Sequence, residues 1–319
     1  MLIADFHIHS RYSRATSSDM TIRGVSEYAK LKGIDILGTG DFTHPHWLDE
    51  LEDSLKPESH GVYECNGVHF FLTGEISCIY SQGGAVRKIH ILIFAPSFEV
   101  VHRLNRELSK IGNLYSDGRP ILGISARELT KIVLEASNEC FVVPAHIWTP
   151  WFSLFGANSG FDDIRECFGE LTPQIYALET GLSSDPEMNW ALSSLDRFTL
   201  ISNSDAHSPA NLGREANIFN CSIDYREIVS AIKNKDRNKF LGTIEFFPQQ
   251  GKYHYDGHRN CNVCLSPEET KSYNNICPRC GKTLTIGVMH RVHQLADREI
   301  GFKPQDAIPF TSLVLLKEV

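Results

Sequence analysis

Histidines, aspartates and glutamates recur in this chain at the ends of short apolar runs, where they can hold metal ions. The first group is Asp5-Phe6-His7-Ile8-His9-Ser10. Residues two apart on a strand share a face, so His7 and His9 can ligate one ion or two adjacent ones. Asp41 follows Ile36-Leu37-Gly38-Thr39-Gly40, and Glu75 follows Phe70-Phe71-Leu72-Thr73-Gly74. His90 lies within Lys88-Ile89-His90-Ile91-Leu92-Ile93, His146 closes Phe141-Val142-Val143-Pro144-Ala145, and Asp205 and His207 follow Leu200-Ile201-Ser202-Asn203-Ser204. Imidazole and carboxylate are borderline-to-hard donors suited to zinc, manganese, magnesium or iron. Taken singly, each has a plainer reading: His90 as a hydrogen-bonded core residue, Asp41 or Asp205 as a loop cap. Recurrence at six successive strand ends favours the metal site, with Glu75, Asp205 and His207 as its catalytic members.

A second constellation is Cys261-x-x-Cys264, a 12-residue gap, then Cys277-Pro278-Arg279-Cys280. Two such pairs match tetrahedral zinc, and this stretch has few apolar residues with which to fold unaided. A redox dithiol needs one pair only. His254 and His258 are expected to be solvent-exposed, with His258 an alternative ligand. The other five cysteines lie scattered among apolar neighbours, as reduced core thiols do.

The elements that must position these groups can be read from hydrophobic period. Apolar, β-branched runs at residues 2–8, 34–40, 68–74, 88–94, 140–145, 175–178, 198–202 and 240–244 alternate with helical patterns. Ser125-Ala126-Arg127-Glu128 is a capping box ahead of an apolar stripe at Leu129, Ile132, Val133 and Ala136. Seven or eight β-α units imply a parallel α/β fold, and a barrel is its natural closure, with catalytic groups at the C-terminal face. The alternation stops near Phe246, so the domains are expected at residues 1–247 and 248–319. The terminal pattern Phe310-Thr311-Ser312-Leu313-Val314-Leu315-Leu316-Lys317-Glu318-Val319 has no stop signal and reads as interrupted.

Composition is that of a globular protein, 42% hydrophobic and 22% charged. No apolar run reaches the roughly 18 residues of a membrane span, and the N-terminus lacks a signal-peptide pattern, so a cytoplasmic location is expected. Net charge is −8, but residues 248–303 hold eight Lys/Arg against five Asp/Glu, a local +3 that leaves −11 elsewhere. The C-terminal part is therefore the better contact for a polyanion.

The motifs Asp5-Phe6-His7-Ile8-His9-Ser10, Gly74-Glu75, His90-Ile91-Leu92, Pro144-Ala145-His146 and Ser204-Asp205-Ala206-His207 resemble those of the polymerase-and-histidinol-phosphatase (PHP) domain over residues 1 to about 245. The resemblance implies a distorted (β/α)7 barrel with up to three metal ions that hydrolyses phosphoesters. It also implies His7, His9, Glu75, His90, His146, Asp205 and His207 as ligands, with Glu75 bridging. The chain departs from the family at the third metal. Phe42 stands where Thr-Asp-His would place a histidine, and Ser13, Arg14 and Thr16 occupy the stretch of a further one. Pro45 argues against His44 as a substitute. Either that metal is lost or Asp41 holds it with fewer protein ligands.

A PHP domain followed by a four-cysteine zinc ribbon, together with Pro144-Ala145-His146-Ile147-Trp148-Thr149-Pro150-Trp151 and His290-Arg291-Val292-His293-Gln294-Leu295-Ala296-Asp297, resembles the endonuclease Q family. That likeness implies DNA carrying damaged bases as the partner. It also implies cleavage by a metal-activated hydroxide on the 5′ side of uracil, hypoxanthine, xanthine or an abasic site, two or three divalent ions in the active site, one structural zinc, and a longer relative with a further helical segment. Trp148, Trp151, Phe152 and Phe155 crowd the loop after His146. From the residues alone they read first as a packed lid, and beside a phosphodiester site as a stacking surface for bases. Arg87, Lys88, Arg119 and Arg214 are candidate phosphate contacts. The competing readings are a small-molecule phosphatase of the histidinol-phosphate type and a non-catalytic DNA-binding module.

Overall fold

The computed structural model describes residues 1–314. Seven strands form the staves of a barrel: β1 (Leu2–Asp5), β2 (Ile36–Gly38), β3 (Val68–Gln82), β4 (Ala85–Ala95), β5 (Phe141–Pro144), β6 (Ala177–Glu179) and β7 (Thr199–Ile201). β1, β2 and β3 pair in parallel, as do β6 and β7. The circle closes through a parallel bridge between Ile8 and Ala206, just beyond β1 and β7. Between β5 and β6 the seam is carried by Ile147 N donating to Glu179 O at 3.1 Å.

The sheet is mixed, where the alternation predicts parallel pairing throughout. β4 runs against both neighbours, because β3 returns through the tight turn at Gly83-Gly84 without a crossover helix. Outside the barrel, β8 (Ala216–Phe219) pairs antiparallel with both β1 and β9 (Phe240–Glu245), extending the sheet past the staves.

Every stave sends side chains into one buried cluster, among them Phe6, Ile36, Phe71, Phe94, Phe141, Ala177 and Ile201. Phe6 lies 5.6 Å from Phe71 and 5.2 Å from Phe94, so aromatic rings fill the barrel and leave its mouth for chemistry. The helices pack outside. Ser125 and Glu128 cap helix Ala126–Ala136 reciprocally, and Leu129 and Val133 bury its inner face.

After β9 the chain forms the hairpin β10 (Asp256–His258) and β11 (Val263–Leu265), then helices Pro267–Ser272 and Val288–Leu295. This part is docked on the barrel: Val288 and Val292 join the main core cluster, and Arg291 donates to Phe155 O at 2.9 Å. The chain then returns to the barrel's own sheet, where β12 (Phe310–Ser312) pairs in parallel with β9. Residues 248–314 are thus not a wholly separate unit in space. Residues 315–319, where the sequence pattern reads as interrupted, lie outside the described residues. Among the described residues no helix is long and apolar enough to cross a membrane.

Candidate active site and zinc site

Seven of the eight residues expected to bind metal meet at the barrel mouth, in three groups whose donor atoms lie within 4.8 Å of one another: His7/His9/Glu75, His9/Asp205/His207 and Glu75/His90/His146. His9 and Glu75 each belong to two groups, which gives Glu75 the position of a bridge. Its Oε1 is 2.7 Å from His90 Nδ1 and 3.1 Å from His146 Nε2, and its Oε2 is 3.3 Å from His9 Nε2. The reversal of β4 explains His90. Ser77 faces His90 across the β3–β4 ladder, so Glu75, two residues before Ser77, shares that face and reaches the imidazole diagonally.

Backbone conformation aims several of these side chains. His146 and Asp205 follow strand ends and take the left-handed region, with φ of 31° and 47°. Such strain in non-glycine residues gathers at functional sites. Gly181 makes room for one of them, since a Cβ there would stand 2.5 Å from the Cβ of His146.

The donor set fits divalent cations. His7 Nε2 is fully buried without a hydrogen-bond partner and faces Glu75 Oε2 at 3.5 Å and Asp205 Oδ1 at 3.8 Å. Burial pushes the His90 pKa down to about 4 against the pull of Glu75. Burial alone would raise Glu75, but His90, Arg119 and His7 outweigh it and hold the carboxylate well below its ordinary range.

Asp41 stands one layer back. Its Oδ1 lies 3.0 Å from His9 Nδ1, and its Oδ2 accepts from Ser10 N at 2.6 Å, Ser10 Oγ at 2.7 Å and Ser13 Oγ at 2.8 Å. It orients His9, and it belongs to none of the three groups. Phe42 is buried against Gly74, and His44 stacks on Tyr12 at 4.5 Å.

Glu179 does for His7 what Asp41 does for His9, and it was missed in the sequence. Both its oxygens lie 3.0 Å from His7 Nδ1, and it also accepts from His146 N and Asn203 Nδ2, each at 2.8 Å. Its place at the end of a predicted strand was the available signal. Arg119 also enters the site, with NH1 on Glu75 Oε2 at 2.9 Å.

A cavity of about 710 Å³ opens above the ligands, walled by Arg119, Trp151, Phe152, Arg214, Phe246 and Tyr253. A second, of about 620 Å³, shares Trp151, Lys252 and Tyr253 with it and runs on to His258 and Arg259. Of the residues expected to meet DNA, Trp151 is exposed and its ring lies 6.2 Å from that of Tyr253. Phe152 packs on His90 at 4.7 Å, with the Lys88 ammonium 5.3 Å from its ring. Trp148 is placed otherwise: it is 1% exposed, donates to Asn189 Oδ1 at 2.8 Å and packs on Phe155, so it belongs to the core. Arg87 is held away from the cavity by Gly160 O and the ring of Phe161.

The second metal group is His258, Cys261, Cys277 and Cys280, with His258 Nδ1 3.4 Å from Cys280 Sγ. Cys264 is outside it. In the β10–β11 ladder Gly257 faces Cys264 and His258 faces Val263, so Cys264 points to the opposite side of the hairpin from His258 and is exposed. The expected fourth thiolate is thus replaced by an imidazole, and three Cys with one His is an ordinary structural zinc set. His254, expected at the surface, is buried beneath Ser183 O.

No family model matches the chain. Its fold superposes over 98% of its length on the crystal structure of the lesion-specific endonuclease PfuEndoQ from Pyrococcus furiosus, with a TM-score of 0.85, 34% identity and 75% of that chain covered. A crystal structure of endonuclease Q in complex with a 27-mer duplex substrate, an abasic lesion at its active site, matches over 99% of this chain and 77% of that one, with a TM-score of 0.89 and 34% identity. This chain belongs to the endonuclease Q family. The uncharacterized protein YqxK of Bacillus subtilis is 30% identical over 312 residues, which cover 93% of this chain and 78% of YqxK. The endonuclease Q match takes in both the barrel and the zinc-binding part, and so joins the metal mouth to the groove beside it.

Proposed function

We propose that this chain is a metal-dependent endonuclease that binds damaged DNA and cuts the phosphodiester on the 5′ side of deaminated bases and abasic sites. One observation carries the reading: three ligand groups sharing Glu75 and His9 form the floor of a cavity whose wall is aromatic and whose groove continues to the zinc-binding part. Residues 1–247 serve as the catalytic barrel, and residues 248–319 as the part that carries the structural zinc and flanks the DNA.

His7, His9, Glu75, His90, His146, Asp205 and His207 would hold two divalent ions. Such ions, when bound, lower the pKa of a water and neutralise phosphate charge. The chain itself orients and protects. Glu179 and Asp41 hold the Nδ1 atoms of His7 and His9, leaving each Nε2 turned to the centre. His207 Nδ1 donates to Asp205 O at 2.9 Å, which leaves its Nε2 free to bind at the site or to pass a proton to the leaving oxygen. Trp151 and Tyr253 offer ring faces on which an unpaired base can stack, and Arg214 and Lys252 supply positive charge along the same wall.

The test incubates the protein with labelled duplexes bearing uracil, hypoxanthine or an abasic site, in Mg²⁺, Mn²⁺ or Zn²⁺, alongside a small phosphomonoester. A nick on the 5′ side of the lesion, abolished by Asp205→Asn, is the expected result. Binding without nicking at every metal, or faster turnover of the phosphomonoester, would overturn the reading.

A further inference from the structure

We propose that Arg291 is a positioning residue for the substrate: through it the helix Val288–Leu295 sets the gap between Trp151 and Tyr253, so the aromatic wall keeps its shape only while the zinc-binding part is folded. The inference rests on the reading of the cavity as the seat of a lesion-bearing DNA strand.

The two rings come from separate stretches of chain. Trp151 lies on the loop of residues 149–161, which follows the candidate ligand His146, and Tyr253 lies on the stretch that leaves the barrel after β9. Their centroids are 6.2 Å apart at 74°, and both residues line both cavities. On one flank the barrel holds the loop: His90 N donates to Phe152 O at 3.1 Å, and Arg87 NH1 donates to Gly160 O.

The other flank is held by the helix. Arg291 Nε donates to Phe155 O at 2.9 Å, its NH2 donates to Phe161 O at 3.2 Å, and the same NH2 pairs with Asp162. Phe155 and Phe161 are buried, so carbonyls deserted by a truncated side chain reach water only if the loop opens. A planar guanidinium can serve two carbonyls and a carboxylate at once, which a lysine ammonium matches poorly. Three residues earlier the same helix takes hold of the second ring's segment. Val288 N donates to Tyr253 O at 2.8 Å, and Met289 N donates to His254 O at 3.0 Å. One helix of eight residues thus fixes both rings.

That helix is fastened in turn to the hairpin of the Cys/His group. Asp256, buried on β10, accepts from Gly287 N at 2.6 Å just ahead of the helix, and its other oxygen lies 2.6 Å from His290 Nδ1. Gly257 and Thr285 exchange backbone hydrogen bonds at 3.0 and 2.8 Å. Glycine at 287 permits the close approach, since a Cβ there would stand 2.4 Å from Tyr255 O. His258, a member of the Cys/His group, lies two residues beyond Asp256 on the same strand. A zinc ion held by that group would staple the hairpin. Hydrogen bonds therefore run without a break from the strand of His258, through Asp256 and Arg291, to the loop of Trp151. Such a chain couples the two places only if both respond to its breakage, and that can be measured.

The experiment compares wild type, Arg291→Ala, Arg291→Lys, His258→Ala and the Arg291→Ala/His258→Ala double variant, each as the whole chain. Nicking of an abasic duplex in saturating Mn²⁺ gives KM and kcat, and amide hydrogen exchange without DNA follows residues 149–161. Arg291→Ala should raise KM at least about fivefold, as for loss of a stacking ring, with kcat within about twofold of wild type. Exchange in the loop should quicken roughly tenfold, while β1, β2 and β3 keep their protection. Arg291→Lys should be intermediate, and it carries the same test should the alanine variant not fold. His258→Ala should loosen the same loop, and the double variant should be no looser than the looser single one, because the clamp is then already open. An Arg291→Ala KM within about twofold of wild type, a kcat that falls as far as kcat/KM, or loosening that adds in full in the double variant overturns the proposal. A wild type that nicks no lesion duplex sinks the nuclease reading, while the exchange pattern still decides whether the helix clamps the wall.

Discussion

Substituting Glu179 by glutamine changes one atom of a buried carboxylate, and the structure lets the cost be worked out. Glu179 is fully buried and accepts on both sides: Oε1 from His7 Nδ1 and Asn203 Nδ2, Oε2 from His7 Nδ1 and His146 N. A glutamine must place its NH₂ on one of those sides. Facing His146 it meets a backbone N–H that cannot be turned around. Facing Asn203 it meets an amide whose Oδ1 is already held by Phe6 N and Asn217 Nδ2, both at 2.9 Å, so that group cannot flip without losing two bonds. Either way one buried donor faces another, at about 1–3 kcal/mol. His7 exchanges a carboxylate for an amide oxygen, a weaker acceptor, and where the NH₂ takes the contact instead, the proton is forced onto Nε2, the nitrogen turned to the centre of the site. At about 1.4 kcal/mol per decade, Glu179→Gln should weaken divalent-metal binding roughly 10–100-fold, in the range found for outer-shell partners. Calorimetric titration of metal-free protein with Mn²⁺ gives the affinity directly. Nicking by the variant should fail at metal concentrations that saturate wild type and recover in excess metal, which a fold defect would not allow. A metal Kd within twofold of wild type would refute the tautomer argument.

The two tryptophans of one loop should separate stability from substrate contact. Trp148→Ala, which empties a buried site and orphans Asn189, should cost about 3–5 kcal/mol in urea unfolding. Trp151→Ala should leave stability within about 0.5 kcal/mol and raise KM for an abasic duplex by at least about fivefold, as expected for loss of a stacking ring. The opposite pattern would return Trp148 to the DNA surface. At the zinc site, His258→Ala should release its ion to a chromogenic chelator much faster than wild type, and Cys264→Ser should not. Release from Cys264→Ser alone would reinstate four thiolates.

The candidate metal ligands were legible because they sit where short apolar runs end, and a strand end is the one place where sequence position predicts direction as well as exposure. His7, His9, His146, Asp205 and His207 all stand there. His90 was legible for a different reason than its position suggests: it lies inside β4, and it reaches Glu75 because, among the seven staves, that strand alone is reversed, which hydrophobic period cannot reveal. The same limit applies at the zinc site, where Cys-x-x-Cys spacing offers Cys264 and the hairpin register withdraws it, seating His258 instead. Trp148 and Trp151 share a loop and a residue type, and only the packing of Asn189 and Phe155 distinguishes them.

The residues that hold the ligands were the least legible, and Asp41 shows why. Its position after an apolar run is that of a ligand, and nothing in its local spacing says otherwise. Its role is set by Ser10 and Ser13 from a loop some thirty residues earlier and by the backbone of Gly118 from one far later in the chain, which together crowd Oδ2 and leave Oδ1 to His9. Glu179 is the converse, a carboxylate after a short run that becomes indispensable because His7, His146 and Asn203 converge on it from three other strand ends. A ligand is announced by its own strand, whereas a residue that orients a ligand is defined by the strands it meets. The barrel's closure, through Ile8 and Ala206, therefore does more than complete the sheet. It brings His9 N onto Ala206 O at 3.0 Å, and so holds the candidate ligand pair His7 and His9 beside Asp205.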